Sequence, residues 1–429
     1  MLATLLFLLL SSGALASGDK RRWVDIWTAM PQLTEPANLP SAPFNETGVV
    51  FRNATIRQTL RVSLPASTIR LQISNAFGTS DLPITAATIA RPANGSAGTS
   101  SIDVATLTPL TFSGSPNFTI PNAALALSDP VTLKGNHALK AGDIVTVSLY
   151  LATGQSSPTN AMTSHPGSRT TSYFVSGNSV SSADLTGSSL QSADHWYLIS
   201  ALSASLPSTA SAVAIIGDSI TDGRGSTTNA NDRWTDALSR RLGAHPATSS
   251  IAVLNQAAGG NRVLYDGLGP NANSRVERDV IAQPGVRYAM VFEGVNDIGT
   301  AAADNATQAA LYTRLTASYA QMIARMHAFD IPVFGCTITP FTGPGQTYSS
   351  PEREANRQRV NAWIRERGHF DGVVDFDAVV RNASAPAMLR DEYNSGDYLH
   401  LNPAGYEAMG QAVDLALFER FSAGVDEML

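Results

Sequence analysis

The stretch Val213-Ala-Ile-Ile-Gly-Asp-Ser-Ile-Thr221 is a short apolar run that leads directly into a polar turn. An apolar run of this length, ended by a glycine, is typical of a strand buried on both faces of a parallel sheet. We therefore expect a strand at 213–216, with the hydroxyl of Ser219 at its carboxyl end.

The chain downstream repeats this alternation of apolar strands and helical stretches. Helical patterns occupy 311–328 and 353–367, and further apolar strands are predicted at 251–254, 288–292, 332–338 and 373–376. Strands that alternate with helices predict an α/β domain at 212–429, with a parallel sheet between two helical layers. Ligands of such sheets bind beyond the carboxyl ends of the strands.

The chain upstream has a different period. Residues 23–200 contain short alternating or β-branched stretches, such as 59–64, 69–73 and 144–151, separated by turns rich in Gly, Asn, Pro and Ser. This pattern favours an all-β sandwich or jelly roll. Residues 203–211, which include Pro207, are predicted to form a linker between the two domains.

The N-terminus is typical of a secretory signal peptide. Residues 2–10 are apolar and Ala14-Leu-Ala16 matches a cleavage site, so we expect residues 1–16 to be removed. The apolar run is too short to span a bilayer. Cys336 is the only cysteine, so no disulfide can form within the chain, and we expect a buried strand thiol there. The sequons expected to carry N-glycans in a secreted protein start at Asn45, Asn53, Asn94, Asn117, Asn305 and Asn382.

Charge argues against a nucleic-acid partner. The chain has 29 Lys and Arg against 35 Asp and Glu, a net charge of -6, whereas nucleic-acid binding needs a basic surface. We expect a secreted, extracellular monomer that spans no membrane.

Chemically useful side chains follow the predicted strands. Ser219 follows the first strand, a pair of glycines ends the segment 255–260 after the second, and Asn296 lies in 293–297 after the third. Near the C-terminus Asp397 stands three residues before His400, close enough on a turn to hold the imidazole. Taken singly, Ser219 could be a helix N-cap and the Asp–His pair a structural hydrogen bond.

Together these segments resemble the SGNH hydrolases, also called the GDSL family of esterases and lipases. The resemblance covers about 211–417 through GDS, the glycine after the second strand, GxND and DxxH, with Ile220 where the family name has Leu. The N-terminal half and the phrases GDSITDGRGSTTN and FEGVNDIG resemble a subgroup of secreted two-domain esterases from fungi and some bacteria. The fold implied is a flavodoxin-like parallel sheet.

The resemblance also implies roles for individual residues. Ser219 would be the nucleophile, His400 its general base and Asp397 the group that orients the imidazole. The oxyanion hole would comprise the backbone N–H groups of Ser219 and Gly260 and the side-chain amide of Asn296. Gly259 is an alternative to Gly260, which we prefer because it lies five residues after Asn255. No cofactor or metal is required.

Other residues near the motifs are expected to hold the loops or to contact the substrate. Asp218 and Asp297 are expected to fix loop backbone and not to act in catalysis. The residues that could contact substrate, with loop packing as the alternative, are Arg233, Trp234, Asn261 and Arg262.

We expect hydrolysis of short-chain, chiefly acetyl, esters of extracellular polysaccharides. The alternatives are a lipase or aryl esterase, a glycan-binding protein with an inactive hydrolase domain, and acyl transfer to an alcohol. The sequence lacks the G-x-S-x-G, H-E-x-x-H and Walker A patterns. The two catalytic carboxylates of glycosidases have no fixed spacing in sequence, so a pattern search does not test for a glycosidase.

Overall fold

A computed structural model describes residues 20–133 and 137–425, so the predicted signal peptide lies outside the described residues. The N-terminal part is all-β, as predicted. Its strands are β1 Arg21–Thr28, β2 Gln32–Leu33, β3 Asn45–Glu46, β4 Val49–Val50, β5 Ala54–Arg61, β6 Thr68–Ser74, β7 Leu82–Ile84, β8 Ala86–Pro92, β9 Ile102–Pro109, β10 Phe118–Ile120, β11 Leu125–Leu127, β12 Val131–Thr132, β13 Ile144–Leu151, β14 Gln155–Ser156, β15 Thr163–His165, β16 Ser172–Ser176, β17 Gln191–Ala193, β18 Trp196–Tyr197 and β19 Ile199–Pro207.

Two antiparallel sheets form the body of this domain. One has the order β1-β19-β6-β11, with β12 also on β6, and the other has the order β17-β16-β5-β13-β8-β9. Apolar side chains of both sheets, such as Leu71 of β6 and Val147 of β13, belong to one buried cluster. β6 alternates buried and half-buried residues, as a strand with one face in the core does, whereas β5 and β13 are buried along nearly their whole length.

The C-terminal part is α/β, also as predicted. Its strands are β20 Ser211–Gly217, β21 Ile251–Ala257, β22 Val286–Phe292, β23 Val333–Cys336, β24 Gly372–Val374, β25 Arg381–Asn382 and β26 Ala385–Leu389. The first five form a parallel sheet in the order β21-β20-β22-β23-β24. Every residue of β20 is buried, which accounts for its unbroken apolar run. Cys336 is a buried free thiol, as predicted.

Helices flank this sheet. The α-helices are α1 Ser219–Asp222, α2 Trp234–Ala244, α3 Val295–Thr300, α4 Asn305–His327, α5 Pro351–Arg365, α6 Phe376–Val380, α7 Pro403–Ala412 and α8 Ala416–Arg420. Short 3-10 turns lie at Pro36–Asn38, Ala272–Arg275 and Asp391–Tyr393, and a π-helical turn lies at Glu277–Ile281. Within the described ranges no helix combines the length and the apolar character needed to cross a membrane.

The predicted linker is wrong for residues 203–207, because they belong to β19 and pair with β1, and Ser203 and Ala204 also pair with β6. Only Ser208 to Ala210 separate β19 from β20. The predicted strand at 373–376 also ends early, since the Asp375 side chain caps α6 by accepting from the Ala378 N–H.

The two domains share their core. The backbone N–H of Asp25 in β1 donates to Pro284 O just before β22 (2.9 Å), and apolar residues of both domains belong to one buried cluster. The N-terminal domain therefore packs directly against the C-terminal domain.

Candidate active site

Ser219 is the first residue of α1, directly beyond the carboxyl end of β20. The Asp218 side chain caps this helix by accepting from the Ile220 N–H (2.8 Å). The capping role that the sequence allowed for Ser219 thus belongs to Asp218, and the Ser219 hydroxyl is left for another partner. Only 7% of the Ser219 surface is exposed.

That partner is His400. Ser219 Oγ lies 2.8 Å from His400 Nε2, and His400 Nδ1 lies 2.6 Å from Asp397 Oδ2. The other oxygen of Asp397 accepts from the backbone N–H groups of Leu399 (3.0 Å) and His400 (2.8 Å), which fixes the carboxylate. Because an ionised carboxylate only accepts, Nδ1 carries the ring proton and Nε2 accepts from the serine.

Charge and burial set the protonation of this pair. Burial raises the pKa of Asp397, but its hydrogen bonds and ionic interaction with His400 outweigh burial and hold the pKa well below the usual range. Burial lowers the pKa of His400, which the charges of Arg224 and Arg169 lower further and Asp397 opposes. The arrangement favours a neutral imidazole beside an ionised carboxylate, the state needed by a general base.

Three N–H donors at the loop ends are not used by the protein. Among the described residues, the backbone N–H groups of Ser219 and Gly260 have no hydrogen-bond partner. The side-chain amide of Asn296, at the start of α3, donates one N–H to Asn261 O (2.8 Å) and accepts at Oδ1 from the Tyr348 hydroxyl (2.9 Å). These two contacts fix the orientation of the amide and leave its second N–H unused. These are the three groups that the sequence predicted as oxyanion donors.

The two glycines after β21 differ in their environments. The Gly259 N–H donates to Asp222 Oδ2 (3.1 Å) and is therefore occupied. Gly260 has φ +70°, a left-handed conformation that favours glycine, and a Cβ there would lie 2.9 Å from Leu268 Cδ1. The geometry leaves the N–H of Gly260, and not that of Gly259, free for a ligand.

Asp218 and Asp297 are buried, and their carboxylates accept hydrogen bonds from backbone N–H groups. Asp297 accepts from the N–H groups of Val263 (2.7 Å) and Leu264 (3.0 Å), which ties the loop after β21 to α3. Burial raises the pKa of Asp297 to about 6 and that of Asp218 to about 7. Their main interactions are with the backbone of the loops that carry the predicted donors.

A buried arginine lies below these loops. The Arg275 guanidinium donates to Asn261 Oδ1 (2.9 Å), to Gly217 O (3.3 Å) and to Glu293 Oε1 (3.3 Å). Burial raises the pKa of Glu293 well above its usual value. Arg275 thus links the ends of β20, β21 and β22, a role that the sequence analysis missed because nothing in the local pattern marks it.

The N-terminal domain reaches α1 through His165 of β15. Its Nε2 lies 2.9 Å from Asp222 Oδ1, and its Nδ1 lies 3.0 Å from Met30 O. The neighbouring Gly167 lies so close to Asp222 that a Cβ there would overlap the carboxylate. The sequence analysis missed this contact, because His165 has no motif of its own.

Three of the predicted substrate contacts need correction. Trp234 is completely buried, where it packs against Phe292 and Phe376, so it belongs to the core. The Arg233 guanidinium donates to Asp222 O and Ser168 O, and the Asn261 side chain bonds to Pro270 O and Arg275. These polar groups are used to hold loops together. Arg262 is half-buried near Tyr265 and remains a candidate for contact with the substrate.

Comparison with known proteins gives the family of the C-terminal domain. A GDSL-like lipase from Bacteroides thetaiotaomicron has 16% identity and a TM-score of 0.35, covering 49% of this chain and 88% of its own. An aryl esterase from M. smegmatis has 15% identity and a TM-score of 0.37, covering 50% of this chain and 100% of its own. No curated protein matches the chain. The model of the GDSL-like lipase/acylhydrolase family matches residues 215–408, the region that holds β20, Ser219 and His400. Residues 215–408 therefore form a GDSL-like lipase/acylhydrolase domain, and the chain is a carboxylic ester hydrolase.

Proposed function

We propose that the chain hydrolyses esters through an acyl-enzyme on Ser219. The observation that carries this proposal is the continuous hydrogen-bonded chain from Ser219 Oγ through His400 to Asp397, with distances of 2.8 and 2.6 Å. A serine in such a chain can attack a carbonyl carbon while its proton passes to the imidazole.

The steps follow from these contacts. Ser219 Oγ bonds to the ester carbonyl carbon as its proton moves to His400 Nε2, and the carbonyl oxygen becomes an oxyanion. The N–H groups of Ser219 and Gly260 and the Asn296 amide stabilise that charge. The C–O bond to the alcohol then breaks as Nε2 returns the proton to the leaving oxygen. Water, deprotonated by the same nitrogen, releases the acid from the acyl-enzyme.

We propose a short acyl group, chiefly acetyl. The exposed side chain of Leu268 lies against Gly260, beside the N–H that would bind the carbonyl oxygen, and so limits the room for the acyl chain. Extracellular polysaccharide is the proposed source of such esters, in keeping with the predicted signal peptide. The sequon asparagines in the described residues are all at least partly exposed, as secretion with glycosylation requires.

A series of p-nitrophenyl esters from acetate to laurate tests this proposal. We expect activity that depends on Ser219 and is concentrated on acetate. A preference for long chains would favour a lipase instead. Binding of insoluble glycans by a protein that hydrolyses none of the esters would favour a glycan-binding function.

Removal of the Asn296 amide should lower kcat strongly. Asn296→Ala is expected to reduce kcat about 100- to 1,000-fold with little change in KM, because the donor acts on charge that develops in the transition state. Tyr348→Phe is the matched control, since it removes only the hydroxyl that orients the amide and should cost less than about tenfold. A kcat for Asn296→Ala close to that of the wild type would contradict this role.

The pH profile should report His400. Because the imidazole must be neutral to accept the serine proton, kcat/KM should fall as the pH drops through the pKa of His400 in the free enzyme. Burial and nearby arginines lower that pKa, so the acidic limb should lie below the ordinary value of about 6.5. Measurement of kcat/KM for p-nitrophenyl acetate from acid to neutral pH tests this. An acidic limb with a pKa above the ordinary value for histidine would contradict this prediction.

A further inference from the structure

Two arginines beside the candidate active site have charges that the protein does not neutralise. Among residues 20–133 and 137–425, the guanidinium groups of Arg169 and Arg224 have no hydrogen-bond or ion-pair partner. The Nε of Arg169 is also buried. A buried donor without a partner costs free energy, so this arrangement needs an explanation.

Backbone contacts tie Arg224 to the segments that carry the nucleophile and the base. Its N–H donates to Ser219 O (2.9 Å), and its carbonyl accepts from the Tyr406 hydroxyl of α7. The next residue, Gly225, lies so close to Leu401 O that a Cβ would be 2.3 Å from it. Arg224 is exposed to solvent.

Arg169 comes from the other domain. It follows β15 in the loop where Gly167 lies against the Asp222 carboxylate and Ser168 O accepts from Arg233. Arg169 O accepts from the Asn229 N–H of the C-terminal domain (2.9 Å). The domain interface thus brings Arg169 to the hydrolase site.

Both positive charges act on His400, whose pKa they lower in addition to the effect of burial. During the reaction the imidazole must become positively charged, and two uncompensated arginines oppose this. A substrate anion bound by the arginines would remove that opposition in the complex, so binding and catalysis would both favour an anionic substrate.

The mechanism decides which part of the ester carries the anion. The leaving oxygen must lie against His400 Nε2 to receive its proton, whereas the carbonyl oxygen lies against the N–H donors. Arg224 donates its N–H to Ser219 O, and its neighbour Gly225 lies against Leu401 O, next to His400. The loop of Arg169 packs against Asp222 of the same helix as Ser219. We therefore assign both arginines to the side of the alcohol part. Guanidinium groups suit a carboxylate in particular, since each can donate two parallel hydrogen bonds.

We propose that Arg169 and Arg224 together bind a carboxylate in the alcohol part of the ester, so that the substrate is an O-acylated hydroxy acid. An acetylated acidic sugar residue is one example of this class. The inference rests on the proposed function and adds a substrate class to it. It also gives the N-terminal domain a part in substrate selection, because that domain supplies Arg169.

The test compares 4-acetoxybenzoate with its neutral methyl ester. Wild-type enzyme should prefer the anionic ester in kcat/KM, and this preference should weaken at high salt. The ratio of the two kcat/KM values should fall about tenfold in Arg169→Gln and in Arg224→Gln, the size expected for a charge-assisted hydrogen bond. Comparing ratios between variants cancels the difference in leaving-group chemistry.

Three controls separate binding of the anion from structural damage. Arg240→Gln removes an exposed arginine paired with Glu407 and should leave the ratio unchanged. Arg169→Lys keeps the charge and should retain part of the preference. The carboxylate product, 4-hydroxybenzoate, should inhibit hydrolysis of p-nitrophenyl acetate more strongly than its methyl ester does, and less so in Arg169→Gln.

A ratio that is the same in the wild type and both glutamine variants would overturn the inference, as would equal inhibition by the two products. If the p-nitrophenyl esters are still hydrolysed through Ser219, only the proposed anion site is refuted. If their hydrolysis does not depend on Ser219, the proposed function fails as well.

Discussion

Ser219→Ala should lower kcat for p-nitrophenyl acetate by about 10⁵-fold or more. The variant lacks the oxygen that forms the acyl-enzyme, and only the N–H donors and substrate binding remain to accelerate attack by water. The substitution removes one hydroxyl and leaves the contact of His400 with Asp397 in place, so the fold should persist. Steady-state kinetics and a thermal unfolding curve on the same preparation measure both effects.

Ser226→Ala is a matched control for this experiment. Ser226 follows α1 in the same loop region, and its hydroxyl has no hydrogen-bond partner among the described residues. Activity should remain near that of the wild type. Turnover by Ser219→Ala within tenfold of the wild-type rate would rule out the proposed nucleophile.

Asp397→Asn should lower kcat by about 10⁴-fold without unfolding the protein. One oxygen of Asp397 accepts two backbone N–H groups, and an asparagine oxygen can keep these contacts. Its NH₂ group then faces His400 Nδ1, which must accept instead of donate. The ring proton moves to Nε2, which can no longer accept from Ser219.

Kinetics of Asp397→Asn beside Asp391→Asn measure this effect. Asp391 is an exposed carboxylate in the 3-10 turn upstream, so its substitution should change kcat little. If Asp397→Asn kept more than one tenth of the wild-type kcat, the carboxylate of Asp397 would not set the tautomer of His400.

Much of the C-terminal domain could be predicted from the sequence, because its determinants are local. The unbroken apolar run of β20 follows from burial on both faces, and the spacing from Asp397 to His400 follows from one turn of chain. Asn402 and Pro403 begin α7 as their cap and first-turn preferences predict.

The contacts between domains could not be predicted in this way. Arg169 lies fifty residues before Ser219 in the chain, and no periodicity indicates that its loop packs against Asp222. Trp234 follows a motif loop, and only the packing against Phe292 and Phe376 distinguishes a core residue from a substrate contact there. The sequence around Pro207 predicts a linker, whereas Ala204 and Leu206 are buried in a paired strand.

Covalent trapping shows directly whether Ser219 is the nucleophile. Paraoxon transfers a diethylphosphoryl group to an activated serine, and peptide mass spectrometry locates the modified residue. We expect stoichiometric labelling of Ser219 that parallels the loss of esterase activity, and no labelling of Ser219→Ala. Complete inactivation with Ser219 unmodified and another residue labelled would contradict it.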